Sequence, residues 1–297
     1  MRKPVTYLLS LVFSVILVFT LIGSSAILLI DINATGKKLN DLASRQKLDQ
    51  KIYTEIEKYY KDKYNTTGIP ADVYMSAINN SYIRSCEEAY INAAFDALES
   101  RSKINMSLPK NKQLENNIEV FFNDFAEKNG YEKDDKFELK LRKSKESAYA
   151  SIGSYCDVYK FAAMDNHGVL SKLSKIYSYR ILMTAAVLSA NVILILLLIF
   201  VNRKKKIVTM YWCGICSLIA GVLGSCPSIY LLTTRFYDSF SIKQAAVFTA
   251  FTSMMYRYTE AFMAVHIALA VIGITLIVIY GIIHDKKTYP GTKPTEI

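Results

Sequence analysis

Cys213 and Cys216 stand three residues apart in YWCGICSLIAG, residues 211–221. A Cys-x-x-Cys pair can exchange electrons as a dithiol or supply two corners of a metal site. The redox role needs a thiolate near neutral pH, which a helix N-terminus or a cationic neighbour provides. Here the motif starts about one and a half turns after Lys206 and runs on into the apolar SLIAGVLGSC. A zinc site would need four ligands, and the segments read below as cytoplasmic add only His284. His266 lies in another apolar run, where an ionisable residue is a functional candidate by default. A proton relay through it would draw on Glu260, Tyr258 or Ser228; the other reading is a neutral, hydrogen-bonded histidine. Asn191, also in an apolar run, is expected to bond across helices. Cys86 and Cys156 fall on apolar helical stripes in a region read as extracytoplasmic, so a disulfide between them is expected there.

These residues are positioned by an unusual distribution of apolar sequence. Apolar residues make up 52% of the 297 residues, and four runs are long enough to span a bilayer, at 7–30, 181–201, 207–232 and 261–283. None of the four contains Asp, Glu, Lys or Arg. The first exceeds the ~7–15 apolar residues of a signal peptide and reads as an uncleaved anchor. Ser217, Gly221 and Ser225 recur every four residues in the third run, and small residues at that spacing let membrane helices approach closely.

Charge then orients the spans. The segments 1–6, 202–206 and 284–297 hold nine Lys and Arg against Asp285 and Glu296 alone. The positive-inside rule places them, and both termini, in the cytoplasm of a plasma-membrane protein. The stretch 31–180 carries 24 basic and 22 acidic residues, so the net charge of +10 reflects topology rather than a nucleic-acid surface.

Within 31–180 the pattern is helical. Leu48, Ile52, Ile56 and Tyr60 form one stripe, and Tyr74, Ile78, Tyr82, Cys86, Tyr90 and Ala94 a second, opened by Pro70. Leu114, Ile118, Phe121, Phe122 and Phe125 mark a third helix ending near Gly130. Phe137, Leu139 and Leu141 alternate and allow a short strand; Ala148, Ile152, Cys156, Tyr159 and Ala163 mark a fourth helix. Such stripes must bury against one another, which predicts a helical bundle. In the loop 233–260 the apolar stretch 244–256 is too short to span; it is interfacial, re-entrant or packed on the bundle.

Three resemblances follow from these residues. WCGIC is similar to the thioredoxin signature, but no strand precedes it and no βαβ context surrounds it. With four membrane helices and a Cys-x-x-Cys, the chain resembles the quinone-coupled disulfide-forming proteins and the vitamin K epoxide reductases. Those families imply cysteine pairs working at the extracytoplasmic face. Here the charge rule puts Cys213 and Cys216 near the cytoplasmic end, with Cys226 ~15–20 Å away, and a large insertion follows the first span. The layout LDQKIYTEIEKYY, then GIPADVYMSAI, then three closing spans, resembles a group of four-helix integral membrane proteins of low-GC Gram-positive bacteria. That resemblance implies architecture and no mechanism.

The expectation is an all-α membrane protein with four transmembrane helices and an extracytoplasmic helical bundle domain. It displays that domain at the cell envelope for protein or ligand interaction, with the lipid bilayer and a protein in the membrane or envelope as partners. No catalytic constellation, metal set, cofactor motif or nucleic-acid motif appears. The alternatives are a membrane thiol-disulfide oxidoreductase using Cys213 and Cys216, and a small transporter subunit with His266 on its path.

Overall fold

The computed structural model describes residues 3–288, and every regular element in that range is helical. The tail residues Arg2, Lys293 and Glu296, and the side chains of Lys3, Asp285, Lys286 and Lys287, lie outside the described positions. In chain order the helices are α1 (Lys3–Asn33), α2 (Gly36–Arg45), α3 (Leu48–Thr67), α4 (Ala71–Met75), α5 (Asn80–Ser100) and α6 (Lys112–Asn129). They continue as α7 (Asp135–Cys156), α8 (Phe161–Asn166), α9 (Val169–Ser178), α10 (Arg180–Val201), α11 (Ile207–Thr233) and α12 (Ala245–Thr288), with a 3-10 turn at Phe236–Ser239. Two compact units result. One combines Met1–Ala34, Tyr179–Ser239 and Met255–Ile297; the other combines Thr35–Ser178 and Phe240–Met254.

The first unit holds the long apolar helices. α1, α10, α11 and α12 are each long and apolar enough to cross a membrane. Many of their large side chains are exposed, Phe19, Ile181, Leu182 and Phe200 among them. Their interior combines an apolar cluster of Leu17, Leu194, Leu198 and Trp212 with small or polar groups, Ser10, Ser14, Ser24, Ser25, Asn191, Asn202, Thr209 and Ser228 being buried. This distribution suits a lipid solvent, where helices gain little by burying Leu and associate through close packing and hydrogen bonds. Asn202 Nδ2 donates to Ser10 Oγ at 3.0 Å and Asn191 Nδ2 to Ser24 Oγ at 2.9 Å, tying α10 to α1 at two levels. Asp31 and Arg180, at 3.3 Å, pair near the end of α1 and the start of α10.

The second unit is a helical bundle with two cores. Leu48, Ile52, Ile56 and Tyr60 line the buried face of α3 and meet Ile83 and Cys86 of α5, Leu114 and Ile118 of α6, and Ile152 and Cys156 of α7. A second cluster gathers Leu39, Ile91, Ala94, Leu98, Phe161 and Leu170 from α2, α5, α8 and α9. The apolar stretch 244–256 is not a separate helix. From Ala245 it forms the first turns of α12, and Ala246 and Ala250 are buried in the first core.

Two local expectations need correction. The stripe from Tyr74 to Ala94 is two helices, because Asn79 accepts a hydrogen bond from the Tyr82 amide at 2.8 Å and starts α5 afresh. The alternation at Phe137, Leu139 and Leu141 belongs to α7, not to a strand. Asp134 caps it, its Oδ1 accepting from the Phe137 amide at 2.9 Å. Phe137 and Leu141, four apart, share the inward face of the helix, while Leu139 between them is exposed.

Candidate functional site

The expected candidates in the membrane-type unit lie among the packed helices. Cys216 is fully buried and donates from Sγ to the Ser14 carbonyl at 3.4 Å, while Cys213 is half-buried against the same α1–α10–α11 core. Neither thiol caps a helix or faces a charged group in that core. Among the described residues no three His, Cys, Asp or Glu converge as a metal set.

His266 is fully buried, and both ring nitrogens are engaged. Nδ1 lies 2.8 Å from the Phe262 carbonyl and Nε2 lies 3.3 Å from Ser25 Oγ on α1. The partner is therefore Ser25 rather than Glu260, Tyr258 or Ser228. The ring fits a notch that only glycine can leave, since a Cβ at Gly224 would run into it.

Gly221 of the expected Ser217, Gly221 and Ser225 set lies in close contact with α12, and Gly214 and Gly224 of α11 do so as well. A Cβ at Gly221 would lie 2.5 Å from the Ala270 amide nitrogen, and one at Gly214 3.0 Å from the Gly273 carbonyl oxygen. Ser225 is buried and turns its hydroxyl back to the Val222 carbonyl, while Ser217 is only half-buried.

In the helical unit Cys86 and Cys156 come side by side, but both are free thiols. The two cysteines expected to pair are thus neighbours, with no disulfide drawn between them. Their side chains are hydrogen-bonded to each other, and that bond together with burial holds the Cys156 thiol well above its ordinary range. Sγ of Cys156 also points at the Ile83 carbonyl, 4.0 Å away.

Beside this pair lies a carboxyl that sequence reading passed over. Glu87 is 2% exposed, and its Oε1 has no hydrogen-bond partner. Burial first, then the negative charges of Asp49 and Glu88, push its pKa up to about 8. Arg84 sits close by but spends its guanidinium on Asp49, at 2.8 Å. The hydroxyl of Tyr159 is likewise buried without a partner, and burial raises its pKa. The available signal was Ile83, Glu87 and Ile91, a charge at the middle of an apolar four-residue spacing.

A cleft with open aromatic walls lies where α6 ends and α7 begins. It has a volume of about 540 Å³ and is lined by Phe122 and Phe125 of α6, Tyr131 of the connecting loop and Phe137 of α7. Gly130, at φ +64°, ends α6 in the left-handed conformation and turns the chain so that Tyr131 returns over Phe125. Those two rings are nearly parallel, 13° apart with centroids at 6.0 Å. Phe122 and Phe137 meet at 68°. Phe125 is 52% exposed and Tyr131 62%, so much of each ring stays open to solvent. The third-helix stripe named Phe122 and Phe125, but Tyr131 and Phe137 reach the cleft through a turn that hydrophobic periodicity does not register. Compared with family models, with curated proteins and with solved structures, the chain finds no match.

Proposed function

We propose that the chain is a multi-pass membrane protein of the cell envelope whose helical unit faces the extracytoplasmic side and binds a ligand there. The observation that carries this reading is the aromatic cleft of Phe122, Phe125, Tyr131 and Phe137. Large rings left open beside one another cost solvation free energy, and such patches commonly mark binding sites. The four apolar helices supply the membrane attachment, and the basic loop at 202–206 supplies the orientation. The cysteines of α11, one buried and one half-buried, and a His266 with both ring nitrogens in contact with oxygen atoms favour packing over electron or proton transfer.

Two measurements test the reading. In intact cells a membrane-impermeant maleimide should label Glu132→Cys and leave the parent chain unlabelled at that position. Labelling only after permeabilisation would overturn the outward display. In the purified full chain, Phe125→Ala with Tyr131→Ala should change unfolding free energy by less than about 1 kcal/mol, as expected for surface positions. A loss of several kcal/mol would make the rings part of the core and remove the case for a binding cleft.

A further inference from the structure

The charges around the aromatic cleft are unpaired in both signs. On α7 and the loop before it, Lys133 pairs with Glu127, Arg142 with Glu146 and Lys145 with Glu119. Lys136 and Lys140, which line the cleft, join no ion pair among the described residues, and neither does Glu132 on the same wall. The two lysines are four residues apart on one helix and share a face. Asp134, the remaining acid of the lining, uses Oδ1 to cap α7. The cleft thus offers aromatic faces, one free carboxylate and a pair of free ammonium groups.

We propose that this cleft binds a small zwitterion carrying a quaternary ammonium at one end and a carboxylate or phosphate at the other. The assignment rests on the binding role proposed above and names its ligand class. Aromatic faces attract a cation through the ring quadrupole, and methylated ammonium groups suit them because they need no hydrogen-bond acceptors. A primary ammonium gains no hydrogen-bond acceptors from the ring faces themselves and would be held by the Glu132 carboxylate alone. Glu132 adds negative charge at the cationic end. Lys136 and Lys140 meet the anionic end, as point-charge donors to carboxylate or phosphate oxygens. A free betaine and a phosphocholine headgroup share this chemistry.

The test is isothermal titration calorimetry on the full chain in a maltoside detergent, which carries no quaternary ammonium. The probes are glycine betaine, phosphocholine, glycine and 3,3-dimethylbutanoate, the uncharged-carbon isostere of glycine betaine. At least one of the first two should bind, with the isostere weaker by about tenfold or more and glycine silent. Preference for glycine betaine identifies a free solute, and preference for phosphocholine a headgroup; either outcome supports the ligand class. Phe125→Ala should weaken binding by about tenfold. Lys136→Gln with Lys140→Gln should weaken the zwitterion without weakening choline, titrated as a control cation. Equal binding of the isostere would make the site merely apolar, and equal binding of glycine would make it a primary-amine site; either overturns the assignment. If none of the four binds, the ligand class is wrong, while the labelling and stability measurements above still decide separately whether the cleft is a displayed binding surface.

Discussion

Placing a carboxyl between Ile83 and Ile91 on a buried face costs desolvation free energy unless the group keeps its proton. Glu87 does so up to about pH 8, against an ordinary value of 4.5. Native protein therefore binds more protons than unfolded protein between those limits, so stability is greatest at the acid end and falls as pH rises through the window. Above about pH 8 the fall levels off. The helical unit should lose on the order of a few kcal/mol between pH 5 and pH 8 from this group, and Glu87→Gln should flatten the loss. Thermal unfolding across that range checks it; a parallel fall in both proteins would place the proton elsewhere. Side chains such as this one were hard to read in sequence because periodicity reports which face is apolar, not which polar residue shares it. His266 was visible as an anomaly, yet its partner was not, since Ser25 is 241 residues away.

At the scale of helices, length and apolarity were legible because bilayer thickness imposes both. Packing between the spans was less so. A spacing of four pointed to Ser217, Gly221 and Ser225, and did not register Gly214 and Gly224, which also touch α12 and stand seven and three residues from Gly221. Both spacings lie on one helical face, and only the partner's backbone shows which residues it meets. The seam yields a contrast within one residue type. Gly221→Leu must force α11 from α12, an overpacking cost of about 1–3 kcal/mol or more. Gly23→Leu on α1 meets nothing within 4 Å and should be tolerated. Thermal stability of the two variants in detergent compares them directly, and equal effects would remove the seam's special status. The short strand expected near Leu139 failed for a related reason: three alternating residues are too few to separate a period of two from a helical face once Asp134 supplies a cap.

At the scale of the whole chain, the division into an apolar four-helix unit and a mixed helical unit was readable, because composition shifts abruptly at both borders. Which residues complete each unit was not. The first core of the helical unit takes Ala246 and Ala250 from a segment that follows three of the four spans in sequence. Two side chains of α3 secure that segment: Glu55 Oε1 accepts from the Ala246 amide at 3.1 Å, and Lys51 Nζ donates to Thr249 Oγ1 at 2.6 Å. A chain stopped after Ile242 should be cut by protease within 35–178 far faster than the full chain, and full-length Ala246→Arg should be cut in the same places. Equal resistance of both would show that the segment is dispensable. Ribosomal synthesis runs in the opposite order to this dependence. Leu48 and Ile56 emerge early and wait for a residue about 200 positions later, so most of the helical unit is translated well before the short segment that completes its core.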